Sequence, residues 1–84
     1  MKLLTLDDKI NEDFLEDHKN IRRAFENEEI MFYRDIDGKE YRKVIDLRGI
    51  SNKSADEIHR HLKRKGFTGL KGYEMREKYK NALT

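Results

Sequence analysis

Three kinds of side chain in this 84-residue sequence could do chemistry: its three histidines, a run of carboxylates and a cluster of cations. The histidines fail as a metal site or a general base on geometry. His59 and His61 lie two apart on a predicted helix, which points them roughly 160° apart, so one ion cannot take both. His18 falls beside the buried arc of another predicted helix, where a packed or hydrogen-bonded ring is expected. Asp7, Asp8, Glu12, Asp13, Glu16 and Asp17 offer many carboxylates. Acid–base catalysis needs a sheltered pair with separated pKa values, and a charge run on a helix is instead a solvated face.

Phosphate chemistry of the loop type is absent as well. Gly66, Gly69 and Gly72 recur every third residue, but they follow a helix and lack a Lys-Ser/Thr pair. With no cysteine, a disulfide framework, a thiolate metal site and a thiol nucleophile are all excluded. The chain is therefore expected to be a non-enzyme, with no catalytic residue, metal or cofactor.

The cations form the stronger pattern. The segment from His59 to Lys65 places Arg60, Lys63 and Arg64 away from Ile58 and Leu62, so these charges should be exposed together, with Lys65 beside them. Lys71, Arg76, Lys78 and Lys80 add to the same half. Clustered cations are what binding to nucleic-acid phosphates requires, because each contact releases counterions. Tyr41, Arg42 and Lys43 would extend that surface, with Tyr33-Arg34 and Tyr41-Arg42 adding aromatic stacking. The opposite sign is concentrated elsewhere. Asp8, Glu12 and Glu16 make an acidic stripe that could dock on a basic protein partner or imitate phosphates.

The whole chain divides along these lines. Residues 1–40 hold 7 Lys/Arg against 12 Asp/Glu, net −5, and residues 41–84 hold 12 against 5, net +7. Charged residues make up 43% and apolar ones 36%, a polar composition for a folded domain. Eight aromatics, spaced aliphatics and a net charge of only +2 nevertheless argue for a fold. Nothing marks a domain boundary: there is no proline, no Gly/Ser linker and no repeat, so residues 1–84 read as one small domain. The first residues turn acidic too early for a signal peptide and no stretch reaches 18 apolar residues, so a cytoplasmic protein without membrane contact is expected.

The elements that must position these groups follow from periodicity. Ile10, Phe14, Ile21 and Phe25 fall in one arc at 3.6 residues per turn, predicting an amphipathic helix over residues 6–27, with Thr5 and Asp8 in a capping arrangement. Residues 30–34 and 41–47, aromatic and β-branched around Asp37-Gly38, predict a β-hairpin. The favoured register uses a three-residue loop, setting Asp35 against Lys39, Arg34 against Glu40 and Tyr33 against Tyr41. Ser54-Ala55-Asp56-Glu57 reads as a capping box opening a second helix, whose buried side carries Ala55, Ile58 and Leu62. Gly66 and Phe67 would end it, as the left-handed residue and its hydrophobic contact. A last helix is predicted over residues 73–83, with Met75, Tyr79, Ala82 and Leu83 on one face.

The expected class is thus α+β, in the order helix, β-hairpin, helix, helix, with the helices packed on one face of the hairpin. Its expected core includes Phe14, Ile21, Phe25, Phe32, Ile45, Ile58, Leu62 and Phe67. The glycine-bounded helix pair from Ser54 to Leu83, with Gly66-Phe67 ending one helix and Glu74-Met75 early in the next, resembles the helix–extended loop–helix DNA-binding modules of the SAP type. It departs from them in the loop Thr68-Gly69-Leu70-Lys71-Gly72, and no residue role is carried over.

The function expected from the residues is a small, regulatory nucleic-acid-binding domain, DNA being the first candidate, using Arg60, Lys63, Arg64, Lys65, Tyr41, Arg42 and Lys43. The alternative is a protein–protein module, an adaptor or small inhibitor of the kind carried by bacteriophages and mobile elements, acting through Asp8, Glu12 and Glu16. A homodimer through Met31, Tyr33 or Tyr79 is compatible with both.

Overall fold

The computed structural model describes residues 4–73. In chain order it contains α1 (Glu12–Asp17), α2 (Lys19–Asn27), a single 3₁₀ turn (Tyr33–Asp35), α3 (Tyr41–Ile45) and α4 (Asn52–Arg64). The expected hairpin is not there. Among the described residues no strand forms, and β pairing is limited to two isolated bridges, antiparallel between Lys9 and Phe32 and parallel between Glu40 and Lys71. The α+β expectation is therefore corrected to a mostly helical fold.

The physical reason lies in the period of burial. In the supposed first strand the buried residues are Ile30, Tyr33 and Ile36, and in the second they are Tyr41 and Val44. A spacing of three is that of helical turns, whereas a half-buried strand buries every second residue. Asp35 closes the first of these turns. Its carboxylate accepts hydrogen bonds from the Phe32 and Met31 backbone N–H groups at 3.0 and 3.1 Å, and these hold its pKa below the usual carboxylate value. The cross-strand charge pairs expected of a hairpin are replaced as well: Arg34 meets Asp7 at 2.7 Å and lies over the Phe32 ring. The expected turn at Ile36-Asp37-Gly38 does form, with Gly38 at φ +80° and Lys39 N–H bonded to the Ile36 carbonyl at 3.1 Å, but no strands flank it and it also anchors a distant loop. The Asp37 carboxylate accepts from Gly69 N–H at 2.8 Å, and Gly38 N–H donates to the Gly69 carbonyl at 2.9 Å.

The predicted first helix is broken in two. It begins at Glu12, with the Asn11 side chain accepting from Phe14 N–H, and it is interrupted at His18, whose φ and ψ of −132° and 73° leave the helical region. The Nδ1 atom of His18 takes up the Phe14 carbonyl at 3.0 Å, so the ring satisfies a group that the broken ladder leaves open. Thr5 and Asp8 form a separate turn ahead of the helix. Because Phe14 and Ile21 are seven residues apart, two helical turns, the apolar arc survives the break: Phe14, Ile21, Ala24 and Phe25 all reach the core.

α4 starts three residues earlier than its capping-box pattern suggested. Ser51 is the N-cap, accepting from Ser54 N–H, while Ser54 is buried and bonded to the Asn20 side chain at 2.6 Å. Its end matches the expectation. Gly66 has φ +88°, Gly66 N–H bonds the Lys63 carbonyl, Phe67 N–H bonds the Leu62 carbonyl, and Phe67 packs half-buried against the core. Of the expected core, Phe14, Ile21, Phe25, Ile58 and Leu62 are buried. Ile45 and Phe67 are partly buried against the core, and Phe32 is of intermediate exposure. The predicted helix over residues 73–83 lies almost wholly outside the described residues.

Candidate nucleic-acid interface

The cations singled out in the sequence sit at the end of α4 and on α3. α4 buries Ala55, Ile58 and Leu62, and this places Arg60, Lys63 and Arg64 on its outer side, with Lys65 at the C-cap; all four are exposed. Lys63 and Arg64 lie in the last turn, where the carbonyl end of the helix dipole favours positive charge. Arg60 is shared with its own helix, 3.6 Å from Glu57. Among the described residues, Lys63, Arg64 and Lys65 make no ion pair.

Arg42 and Lys43 are exposed on α3, which packs on α4. The loop after α4 ties the two helices together. Tyr41 N–H donates to the Lys71 carbonyl at 2.8 Å, and Lys71 N–H donates to the Lys39 carbonyl at 2.9 Å. At Gly69, φ is +90° and an added Cβ would stand 2.6 Å from His59 Cε1 and 3.2 Å from Lys63 Cδ. Backbone and space both demand glycine there, since an L side chain would be strained and would collide. The stem of Lys63 therefore lies on a loop that is hydrogen-bonded to the start of α3, and Lys63, Lys71 and Arg42 are carried by segments in direct contact.

Tyr41 does not belong to this surface. It is buried, its ring set edge-on to Tyr73, so it cannot offer a face to a base. The same correction applies to Tyr33, which is fully buried and unavailable for stacking or for a dimer contact. Met31 is exposed, and Tyr79 lies outside the described residues.

The acidic stripe is partly engaged within the fold. The Asp8 carboxylate accepts from Thr5 N–H, Glu12 stands 3.9 Å from Arg22, and Glu16 is exposed on α1 without an ion pair among the described residues. None of the three pairs with Arg60, Lys63, Arg64 or Lys65. Among the described residues, the ion pair between the acidic N-terminal half and α4 runs in the reverse sense, from His18 to Glu57 at 3.7 Å.

All three histidines are structural. His18 bonds the Phe14 carbonyl, and His59 Nδ1 accepts from Leu70 N–H at 2.9 Å with its ring stacked on Tyr73. His61 is 5% exposed, stacked on Phe14, with Nε2 2.9 Å from the Tyr33 hydroxyl. That hydroxyl accepts from Asn11 N–H and gives its own proton to Nε2. Burial, then the nearby Lys65, Arg64 and His18, lower the His61 pKa from 6.5 to about 4, so the ring is neutral at physiological pH. Among the described residues no group of three His, Asp or Glu side chains could hold a metal, and no helix is long and apolar enough to cross a membrane.

Sequence reasoning missed a second group of cations. Lys19, Arg23 and Arg48 line a cleft between α2 and the turn that precedes α4, together with Asn20, Asn27 and Gly49. The signal was present in the i, i+4, i+8 spacing of Lys19, Arg23 and Asn27, but Arg48 reaches it only through the tertiary fold. No protein-family model matches this chain, and no curated protein or solved structure is significantly similar to it, so these surfaces are read from their geometry alone.

Proposed function

We propose that this protein is a small, non-enzymatic nucleic-acid-binding domain that contacts phosphates with Lys63, Arg64 and Lys65 at the end of α4 and with Arg42 and Lys43 on α3. The observation that supports this reading is the state of those five cations. All are exposed, none is neutralised by a described carboxylate in a chain with 17 Asp and Glu, and the two helices that carry them pack together. Arg60 has a smaller part, because Glu57 already holds it. The acidic-helix alternative has less behind it, since Asp8 and Glu12 are used inside the fold.

The test is fluorescence anisotropy with single-stranded and duplex DNA and RNA across a salt series. Binding should weaken steeply with salt, and Lys63→Glu with Arg64→Glu should flatten the dependence by about one counterion per cation removed as well as weaken binding. If none of these nucleic acids binds at low salt, or if the double variant binds as tightly as the parent, the reading is wrong.

A further inference from the structure

The cleft beside α2 points to a second binding site. It encloses about 600 Å³, within the range of small-ligand clefts, and it is open on one side. Lys19 and Arg23 stand one helical turn apart on one edge, and Arg48 faces them from the turn between α3 and α4. Asn27 continues the α2 edge, and among the described residues no carboxylate lines the cleft. Its floor is fixed, because the Asn20 side chain donates to Ser54 Oγ at 2.6 Å and to the Gly49 carbonyl at 3.4 Å, pinning α2 to the turn.

The contrast with the next residue is informative. Arg22 lies between Glu26 at 3.2 Å and Glu12 at 3.9 Å, whereas Lys19, Arg23 and Arg48 make no ion pair among the described residues. Three cations from two elements thus line one concavity without an ion pair among the described residues, an arrangement suited to an anion. Side-chain amides and guanidinium groups are donors suited to phosphate oxygens, and Arg can engage them bidentately.

We propose that this cleft binds phosphate groups, carried by a nucleic-acid strand or by a free polyphosphate, with Lys19, Arg23 and Arg48 supplying the charge and Asn27 a further donor. The site does not depend on the α3–α4 surface. The two make separate claims.

The test is a ¹H–¹⁵N correlation titration of the full chain with inorganic tripolyphosphate and, separately, with a single-stranded oligonucleotide. Tripolyphosphate should shift the amides of residues 19–27 and 48–51 saturably. Arg23→Gln with Arg48→Gln should weaken that binding about tenfold or more, whereas Lys9→Gln, at an exposed cation outside both surfaces, should leave it unchanged. Retained amide dispersion verifies folding, and Arg48→Gln alone, outside every helix, serves if the pair does not fold. Oligonucleotide shifts at the same amides assign the phosphates to a strand. Tripolyphosphate binding there without oligonucleotide binding anywhere keeps this site and removes the nucleic-acid reading. The proposal fails if neither ligand moves these amides saturably, or if the Arg23 and Arg48 changes leave affinity unaltered.

Discussion

Lowering the pH from 7 to 4.5 should destabilise this protein chiefly through one residue, His61. In the folded state the ring is buried against Phe14, accepts the Tyr33 proton at Nε2, and has a pKa of about 4; in the unfolded chain it returns to about 6.5. The folded value lies below the unfolded one, so between these pH values the unfolded state binds more protons. Stability is then full above about pH 6.5 and is lost as pH falls toward 4. At about 1.4 kcal/mol per pH unit, the gap is worth about 3 kcal/mol, most of it already lost by pH 4.5. Because His61 is only 5% exposed, solvent screening does little to reduce this. A domain of this size has a total stability of about 4–12 kcal/mol, so the melting temperature should drop by at least about 10 °C between pH 7 and pH 4.5.

His61→Phe separates this effect from the rest of the acid response. The variant keeps an aromatic ring on Phe14 but leaves the Tyr33 proton without its acceptor, which should cost about 1–3 kcal/mol at pH 7. Its stability should then change little over the same pH range. Urea unfolding at pH 7, 6, 5 and 4.5, followed by circular dichroism, measures both slopes. If parent and variant lose the same stability over this range, or if the His61 ring titrates near 6.5 by NMR, the account of the buried pair is wrong.

Two further predictions concern backbone and caps. Gly69→Ala should cost about 2 kcal/mol or more, because it combines a φ of +90° with a Cβ 2.6 Å from the His59 ring, whereas Gly38→Ala, at φ +80° in open space, should cost about 1 kcal/mol; thermal melts of the two compare them. Ser51→Ala should lose about 1 kcal/mol as the N-cap of α4, and an unchanged urea midpoint would return the cap to Ser54.

What the sequence made legible, and what it hid, follows from how local each signal is. The end of α4 was readable because Gly66 and Phe67 act within one turn, and its buried side was readable because Ala55, Ile58 and Leu62 repeat at helical spacing. The start of α4 was ambiguous between two serines three residues apart. It was decided by a contact 34 residues away in sequence, in which Asn20 occupies the Ser54 hydroxyl. The false hairpin came from taking residue type over period: Ile30, Tyr33 and Ile36 have strand-like chemistry but are buried every third residue, so the turn at Asp37-Gly38, which was legible, joins helical turns and not strands. Exposure of Arg60, Lys63 and Arg64 was legible from the same helical spacing, whereas Arg42 and Lys43 are exposed on a helix and not on the expected hairpin, and Tyr41 was misplaced with the hairpin that carried it. No local pattern could bring Arg48 to Lys19 and Arg23, since their meeting depends on α2 packing beside the turn before α4.

The division of charge along the chain takes on a different meaning in three dimensions. The acidic half neutralises two of its three arginines: Asp7 holds Arg34, and Glu12 and Glu26 hold Arg22. The carboxylate of Glu57, in the basic half, serves His18 and Arg60. The cations that make no ion pair among the described residues come from both halves and include Lys19 and Arg23 from the acidic one and Arg42, Lys43, Arg48, Lys63, Arg64 and Lys65 from the basic one. A self-neutralised fold would have set the acidic stripe of α1 against α4. Here α1 turns its carboxylates to solvent and to Arg22, and α4 keeps its cations. The cations available to a partner therefore lie on two surfaces whose salt dependence can be measured separately.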